Sequence, residues 1–275
     1  MSRGNKAAVL HYHRVASVET DPWRLAVEPA RFAEHLEVIA SRFRPLALPE
    51  LIRSTGKARI PSGAVSVTFD DGYRDNLEVA KPLLERYGVP ATVFVITGYL
   101  DSECDFWWDE LLGACPDGDY DELHRELQSL PPDEREARLN ELAAGDGADA
   151  RRPQTLTSEE LARLAEGALV EVGSHTVTHP LLSRLSQSER LDELRSSKQH
   201  LEGVIGQEVA GFSYPYGDCM PDAVGSVRAA GFSYACTSVR DVVTLDTDPL
   251  ELPRLDVGDV EGQELERWLW ERVGP

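Results

Sequence analysis

The sequence predicts an α/β protein in which parallel strands alternate with helices, and three features support this. Short apolar runs rich in β-branched residues alternate with stretches of helical periodicity, as expected of βα units. The run at residues 91–96 is apolar almost throughout, which is typical of a parallel strand covered on both faces. Polar clusters directly follow several of the predicted strands.

The composition is that of a globular protein and argues against two classes of partner. The chain has 275 residues, enough for one large α/β domain or two small ones. Its formal net charge of −20 argues against nucleic acid or an anionic membrane surface as a partner, since both need clustered Lys and Arg. No apolar run approaches the length of a membrane span, so no integral membrane segment is expected.

The first residues lead straight into a strand-like run at 8–10, with no apolar leader after the basic residues. A cytoplasmic location is therefore expected. The four cysteines show no CxxC pairing and are expected to be reduced thiols. The sequence does not indicate an oligomeric state.

The first half of the chain is predicted to hold strand, helix, short strand or turn, strand, helix and strand. In this order the elements cover about residues 7–10, 29–43, 46–51, 65–69, 82–87 and 91–96. The first helix begins at Pro29 and carries apolar residues at helical spacing on one face. The second helix begins near Pro82 and ends at Gly88.

Residues from about 101 to 155 interrupt this rhythm. The segment is acidic, with helical stretches predicted around 120–129 and 134–144 and a flexible exit at 145–149. We interpret it as a helical insertion at a strand end, which covers core surface or forms a lid or one wall of a cleft.

The βα rhythm returns after the insertion. Thr157 to Glu160 and Ser186 to Glu189 are capping boxes, and each is predicted to start a helix. The remaining strands are predicted at about 169–173, 210–213, 232–237 and 252–255, and further helices at about 222–230 and 264–273. We interpret residues 1–275 as one domain that contains the insertion.

The strand at 65–69 delivers two neighbouring carboxylates, Asp70 and Asp71, and Gly72 follows them. Because neighbouring strand residues point to opposite faces, one acid can face a metal while the other faces a reacting water. A strand followed by an Asp-Gly turn is common in itself. In a parallel sheet, however, the polar residues after other strands can meet these acids at the same edge. Those residues are His11, His13, His175, His179 and the 214–217 loop.

His175 and His179 have the spacing of a metal-binding pair. Pro180 disfavours helical geometry at His179, so the pair is expected on a loop. Two imidazoles and one carboxylate form the open three-ligand site of catalytic zinc, and Asp71 is the obvious carboxylate. Asp70 is then the neighbour available to take the proton of a metal-activated water.

Three motifs resemble those of the polysaccharide deacetylases, the NodB-homology carbohydrate esterases. They are Thr-Phe-Asp-Asp-Gly at 68–72, Ser-His-Thr-Val-Thr-His-Pro at 174–180 and Tyr-Pro-Tyr-Gly at 214–217. Their order and spacing agree with the family, and the similarity covers nearly the whole chain apart from the insertion. The resemblance implies a distorted (β/α) barrel of seven or eight strands. It also implies Asp70 as the catalytic base, with Asp71 and the two histidines as ligands of a divalent metal, usually zinc.

The resemblance implies that the third motif contacts the substrate. By resemblance, the backbone N–H of Tyr216 would face the tetrahedral oxyanion, and Tyr214 and Pro215 of the same loop would help to bind the substrate. Trp107 and Trp108 could stack on a sugar face, although burial of at least one of them in the core is an equal alternative.

Two departures from the family pattern matter. The third motif of the family commonly begins with an arginine that pairs with the base, but Ser213 stands at that position. Arg254 is our candidate for its replacement, with Arg74 as the second choice.

The second departure concerns the general acid. The family's late Leu-x-His motif is absent, because no histidine follows His200. Some members carry an early Tyr-His instead, and Tyr12-His13 matches it, so the resemblance implies His13 as the acid. His11 is expected on the opposite strand face and in a structural role.

The resemblance implies metal-dependent removal of the N-acetyl group from an N-acetylated sugar. Without an export signal, an intracellular glycoconjugate, sugar nucleotide, lipid-linked sugar or biosynthetic intermediate fits better than a wall polymer. Two alternatives stay open: hydrolysis of a non-sugar amide, and a catalytically impaired carbohydrate-binding relative. The missing motif arginine favours the second, whereas the intact acids and histidines speak against it.

Overall fold

A computed structural model of the protein describes residues 5–115, 120–143 and 153–274. Its strands are β1 (Lys6–Tyr12), β2 (Arg14–Val15), β3 (Ala26–Val27), β4 (Arg44–Pro45), β5 (Ala64–Phe69), β6 (Ala91–Val95), β7 (Val170–Ser174), β8 (Gly211–Ser213), β9 (Tyr234–Cys236), β10 (Val243–Thr244) and β11 (Leu255–Asp256). Its α-helices are α1 (Pro29–Arg42), α2 (Leu48–Gly56), α3 (Lys81–Tyr87), α4 (Trp107–Ala114), α5 (Tyr120–Gln128), α6 (Pro132–Ala143), α7 (Ser158–Ala165), α8 (Gln187–Ile205), α9 (Pro221–Ala229) and α10 (Gly262–Val273). The expected exit at 145–149 lies outside the described residues.

The main sheet is parallel and curled. Its central strands pair in the order β1, β5, β6, β7, β8, β9, all in parallel, so the expected α/β architecture is confirmed. A short segment links its two sides: Leu252 bridges to Cys236 of β9, and Leu255 pairs with Leu10 of β1. The sheet therefore curls into an irregular barrel that residues 252–256 close.

Helices cover the outside of the sheet as their sequence patterns predict. Helix α1 buries Phe32, Leu36 and Ile39, which lie at helical spacing on one face. The capping boxes at the starts of α7 and α8 are both present, with the hydroxyl and the glutamate bonding each other's backbone N–H. Gly88 ends α3 in the left-handed conformation, with φ of 65°, as expected of a glycine there.

The region around residues 46–51 differs from the prediction of a strand or turn. The strand there is only β4, and α2 begins at Leu48. Pro49 lies in the first turn of α2, where proline is tolerated because its missing N–H has no partner there. Leu48 and Leu51 turn inward from α2 and are buried.

The insertion packs onto the carboxyl edge of the sheet through its own apolar cluster. This cluster joins residues of α4, α5 and α6 to Tyr73 and Ile96, which follow β5 and β6. Its buried members are Tyr73, Ile96, Phe106, Trp107, Trp108, Leu111, Leu127 and Leu139. The insertion therefore lies next to the edge at which the predicted site residues meet.

The described residues include no helix that is long and apolar enough to span a bilayer. All four cysteines are free thiols, as expected.

The curled sheet tolerates little added volume at Gly173 of β7. A Cβ atom there would lie 2.3 Å from Cδ1 of Phe94. We expect Gly173→Ala to lower the free energy of unfolding by about 1–3 kcal/mol, because the Phe94 ring or the backbone must move. Urea denaturation measures the change.

Gly203→Ala in α8 is the matched control, since nothing lies within 4 Å of its added Cβ. It is expected to leave stability unchanged or to raise it by up to about 1 kcal/mol. Equal destabilisation by the two variants would contradict the packing argument at Gly173.

Candidate active site

Asp70 follows β5 directly and is held by four donors. Nη1 and Nη2 of Arg254 donate to its two carboxylate oxygens, each at 2.7 Å. Its Oδ2 also accepts from His11 Nε2 at 3.0 Å and from Ser213 Oγ at 3.0 Å. The bidentate contact with Arg254 and the two further hydrogen bonds fix the orientation of the carboxylate.

The charge of Arg254 decides the ionisation of Asp70. Burial alone would raise the pKa of this carboxyl, but the charge of Arg254 and its hydrogen bonds outweigh burial and hold the pKa well below its usual value. Asp70 is therefore ionised near neutral pH, as a group that accepts a proton must be.

Arg254 comes from the segment that closes the barrel, and Ser213 leaves the space for it. Ser213 is fully buried at the end of β8, and its Oγ accepts from Arg254 Nη2 at 2.9 Å. A short side chain at position 213 thus lets an arginine reach Asp70 from another strand. Arg74, the second candidate, is engaged elsewhere: its Nε lies 3.4 Å from a carboxylate oxygen of Glu160.

The backbone turns at Asp71, directly after Asp70, so that the two neighbouring acids have different hydrogen-bond partners. Its φ is 72°, a left-handed conformation that a non-glycine residue adopts rarely. Gly72 follows with φ of 83°, and a Cβ there would lie 3.0 Å from a methyl carbon of Val95. The separation of the two acids thus rests on this turn as well as on strand alternation.

The two histidines of the second motif lie on a loop after β7, as expected. Thr176 and His179 both have positive φ, at 68° and 56°. Glu193 of α8 holds the loop: its carboxylate accepts from the N–H of Val177 at 2.8 Å and of Thr178 at 3.0 Å. These bonds satisfy backbone groups that the irregular loop leaves unpaired.

Asp71, His175 and His179 converge on one point. The Nε2 atoms of the two imidazoles are 3.2 Å apart, and they lie 3.6 Å and 3.8 Å from Asp71 Oδ1. Ligands about 2.0–2.1 Å from a tetrahedral zinc ion are roughly 3.3 Å from each other. The three side chains therefore fit a small divalent ion.

The hydrogen bonds and charges of the trio Asp71, His175 and His179 are also those expected of a cation site. His175 Nδ1 donates to the carbonyl of Ser213 at 2.7 Å, which leaves Nε2 with a free lone pair. Burial lowers the pKa of His175. Burial and the closeness of the His175 ring, which disfavours a second positive charge, lower the pKa of His179, so both rings are neutral. Burial and the charges of Asp70 and Asp109 raise the pKa of Asp71 well above its usual value, and a bound cation would offset that repulsion.

The expectation that His11 lies on the opposite face is wrong. In the parallel register His11 pairs with Thr68, so its side chain lies on the same face as Thr68 and Asp70. Tyr12 pairs with Phe69 and packs against it on the outer face, with ring centroids 5.5 Å apart. The alternation continues past the strand, because the His13 ring lies beside the His11 ring at 4.5 Å.

His13 lies near the base but differs from His11 in its contacts. Within the described chain, its half-buried ring makes no hydrogen bond. Burial and the neighbouring charge of His11 lower its pKa from 6.5 to about 3, so the resting ring is neutral at pH 7. A neutral imidazole at this position can receive a proton and pass it on.

The third motif places a backbone turn beside the trio. Tyr216 has φ of 57°, and its ring centroid is 4.4 Å from that of His179. The expectation that Tyr214 and Pro215 line a substrate cleft differs from the structure, because both are buried. The hydroxyl of Tyr214 donates to the carbonyl of Leu250 at 3.0 Å, so this side chain anchors the loop from behind.

The two tryptophans likewise offer no open stacking face. Trp107 is 2% exposed and Trp108 is 4% exposed, and both belong to the apolar cluster of the insertion. Trp108 Nε1 donates to the hydroxyl of Tyr73 at 2.6 Å, and its ring lies 5.1 Å from that of His179. Core burial, the alternative left open for at least one of them, holds for both, and Trp108 packs beside His179.

Three contributors to the site were missed or undervalued from the sequence. These are Glu193, which holds the histidine loop, Asp256, which bonds His11 Nδ1 at 2.7 Å, and His11 itself. No local signal singles out Glu193 on the surface of a helix. Asp256 follows Arg254 by two residues on the closing segment, and strand alternation was the one available signal for it.

A family model for polysaccharide deacetylases matches residues 57–235 of this chain. The chain is 22% identical over 254 residues to a putative polysaccharide deacetylase, YxkH, of Bacillus subtilis, and the match covers 92% of this chain and 71% of that protein. It is also 22% identical to the poly-beta-1,6-N-acetyl-D-glucosamine N-deacetylase of Staphylococcus aureus strain N315, over 96% of this chain and 83% of the relative.

Solved structures agree in fold. The deacetylase PplD of Streptococcus pyogenes, in complex with acetate, superposes with a TM-score of 0.72 at 20% identity and covers 99% of this chain and 100% of its own. IcaB from Ammonifex degensii gives a TM-score of 0.70 at 21% identity, with 97% of each chain covered. The barrel type implied by the motifs is thus confirmed. The family model covers well over half of the chain, and the protein belongs to the polysaccharide deacetylase family of hydrolases.

Proposed function

We propose that this protein is a metal-dependent N-deacetylase of an N-acetylated sugar. The observation that carries the proposal is the pair of adjacent clusters at the strand ends. Asp70 is ionised and fixed by Arg254, while the neutral His175 and His179 converge with Asp71 at the spacing of metal ligands. A metal-dependent amide hydrolase uses a base and a Lewis acid side by side to activate water and polarise the carbonyl.

Asp71, His175 and His179 would hold the metal, for which zinc is the ion that this donor set favours. When bound, such an ion acidifies water and polarises the carbonyl of the acetamide. The fixed bond from His175 Nδ1 to a backbone carbonyl keeps Nε2 directed at the site.

The residues of the chain have separate roles in the proposed reaction. Asp70 takes the proton of the attacking water, and Arg254 keeps the carboxylate ionised and oriented. The backbone N–H of Tyr216 faces the oxyanion, a type of contact that usually contributes much to catalysis. His13, neutral at rest, receives the proton that Asp70 took from the water and delivers it to the leaving amine, which restores the base.

The sugar substrate is supported by family membership and by the relative that acts on poly-beta-1,6-N-acetyl-D-glucosamine. An intracellular conjugate, a cytoplasmic location and zinc as the physiological ion remain predictions. No single observation favours a non-sugar amide or a binding protein without catalysis, and both become outcomes of the substrate test.

The substrate test measures acetate release. We expect the zinc-loaded protein to release acetate from at least one of three groups: a β-1,6-linked N-acetylglucosamine oligomer, a nucleotide-linked N-acetyl sugar, or an N-acetylated glycolipid. Asp70→Asn serves as the inactive control. Release only from a non-sugar acetamide, or binding of sugars without release, would overturn the proposed activity.

Substitutions of the two neighbouring acids, Asp70 and Asp71, are expected to have different effects on metal content. Asp70→Asn should keep about one metal ion per chain and lose turnover, because the base is hydrogen-bonded to Arg254 and His11, whereas its Oδ2 lies 3.8 Å from His175 Nε2. Asp71→Asn and His179→Ala should lose most of the metal as well. Elemental analysis of the purified variants measures this, and full occupancy in His179→Ala would show that the ligand set is wrong.

The arginine that pairs with the base is expected to be exchangeable between positions 254 and 213. Arg254→Ser should cost about 3–5 kcal/mol of stability and most of the activity, because it leaves the buried Asp70 charge unpaired. Adding Ser213→Arg should restore part of both, since the new side chain starts beside the same carboxylate. Urea denaturation and acetate release measure the two effects.

Arg74→Gln is the control for this exchange, because Arg74 is also buried and pairs with Glu160. It is expected to lower stability without changing kcat. A folded double variant at 213 and 254 that recovers no activity would contradict the equivalence of the two positions.

The proposed proton donor is tested by His13→Ala. We expect kcat to fall by ~10²–10⁴, the usual contribution of general acid–base catalysis, while metal content stays unchanged. The exposed His200 on α8 provides the control, since His200→Ala should leave kcat unaffected. Near-native kcat in His13→Ala would assign the proton delivery to another group.

A further inference from the structure

A second charged layer lies behind the base and has no part in the proposed reaction steps. His11 is 7% exposed, and its ring lies between two carboxylates. Its Nε2 is 3.0 Å from Asp70 Oδ2, and its Nδ1 is 2.7 Å from Asp256 Oδ1. The sheet order produces this arrangement, because β1 pairs with β5 on one side and with β11 on the other.

Asp256 is anchored from outside by Arg240. Nε and Nη2 of Arg240 lie 2.9 Å and 2.8 Å from Asp256 Oδ2. Although burial acts to raise it, hydrogen bonding to His11 and the charges of His11 and Arg240 lower the pKa of Asp256 to about 2. Asp256 is therefore an ionised carboxylate that can only accept hydrogen bonds.

Both ring nitrogens of His11 consequently face acceptors. Both oxygens of Asp70 accept from Arg254, and Asp256 Oδ2 accepts from Arg240. A neutral imidazole would direct a lone pair at one of these carboxylates, whereas an imidazolium donates to both. In the second arrangement, donors and acceptors alternate along the row Arg254, Asp70, His11, Asp256, Arg240.

A second metal site is the competing explanation for this layer, because His11, His13 and Asp70 have ligand atoms close enough to share an ion. Two sets of contacts speak against a metal ion at this position. Both His11 nitrogens are already engaged by carboxylates, and both Asp70 oxygens are bonded to Arg254. A cation there would meet a buried guanidinium.

We propose that His11 is a positioning residue for the catalytic base, donating to Asp70 and Asp256 at once, and that Asp256 acts on the base only through His11. The inference rests on the proposed function and deepens it. His11 touches none of the proposed metal ligands and affects the reaction through the Asp70 carboxylate. It fixes one oxygen of Asp70, so that the base meets the water in one orientation.

The kinetic test uses a double-mutant cycle on the zinc-loaded protein. We expect His11→Gln to lower kcat ~100-fold and Asp256→Asn ~10-fold, with KM and metal content unchanged within about twofold. In the double variant, Asp256→Asn should add no further loss, because its route to the base is already broken. Asp246→Asn, an exposed acid before β11, is the control and should leave kcat unchanged.

Two kinetic outcomes would overturn the proposal. If the losses of the two single variants multiply in the double variant, Asp256 does not act through His11. If either variant loses metal or raises KM in proportion to its loss of kcat, the layer has a general structural role.

A readout independent of activity separates this proposal from the proposed function. In protein with ¹⁵N-labelled histidine, His11 should give two ring N–H signals, both absent from His11→Gln. The Nδ1–H signal should be shifted or lost in Asp256→Asn. A single ring proton on His11 would refute the bridge even in an active enzyme. Two ring protons in a protein that deacetylates no sugar would refute the proposed function and leave the bridge intact.

Discussion

The buried ion pair between Arg254 and Asp70 is the interaction on which the rest of the site depends. Both residues are at most 3% exposed, and removing two charges from water is costly unless their geometry is close to ideal. The bidentate contact at 2.7 Å provides that geometry. Because Arg254 comes from the segment that joins β9 to β1, the same pair ties the closure of the barrel to the catalytic edge. Position 213 must then be small, which explains a serine where the family commonly has arginine.

Arg254 balances the negative charge of Asp70, whereas the second acid, Asp71, has surroundings that disfavour a negative charge. Among the described residues, no cationic side chain is bonded to Asp71, which faces two neutral imidazoles instead. Burial and the neighbouring charge of Asp70 disfavour its ionised form, which a metal cation would restore. Two adjacent carboxylates thus acquire different chemical roles from their surroundings, one paired by the protein and one left for an ion.

Features that follow from local sequence patterns were predicted better than features that depend on contacts between distant parts of the chain. Strand ends, capping boxes and the convergence of Asp70, Asp71 and the histidine pair follow from local pattern and parallel-sheet geometry. The burial of Trp107 and Trp108 could not be predicted, because it depends on how the insertion folds back onto the sheet. The face of His11 was within reach of strand alternation, but the Tyr-His resemblance was given more weight. Alternation in fact continues through His13.

The site is also built from unfavourable backbone conformations, which explains why its supports are so extensive. Asp71, Thr176, His179 and Tyr216 are non-glycine residues with positive φ, and each such conformation costs of order 1–3 kcal/mol. They persist only where neighbouring contacts hold them. Glu193 does so for the histidine loop through its bonds to two backbone N–H groups, and Tyr214 anchors the turn before Tyr216. The side chains of the site therefore depend on residues that never approach a substrate, and strain and support together place three ligand atoms at one point.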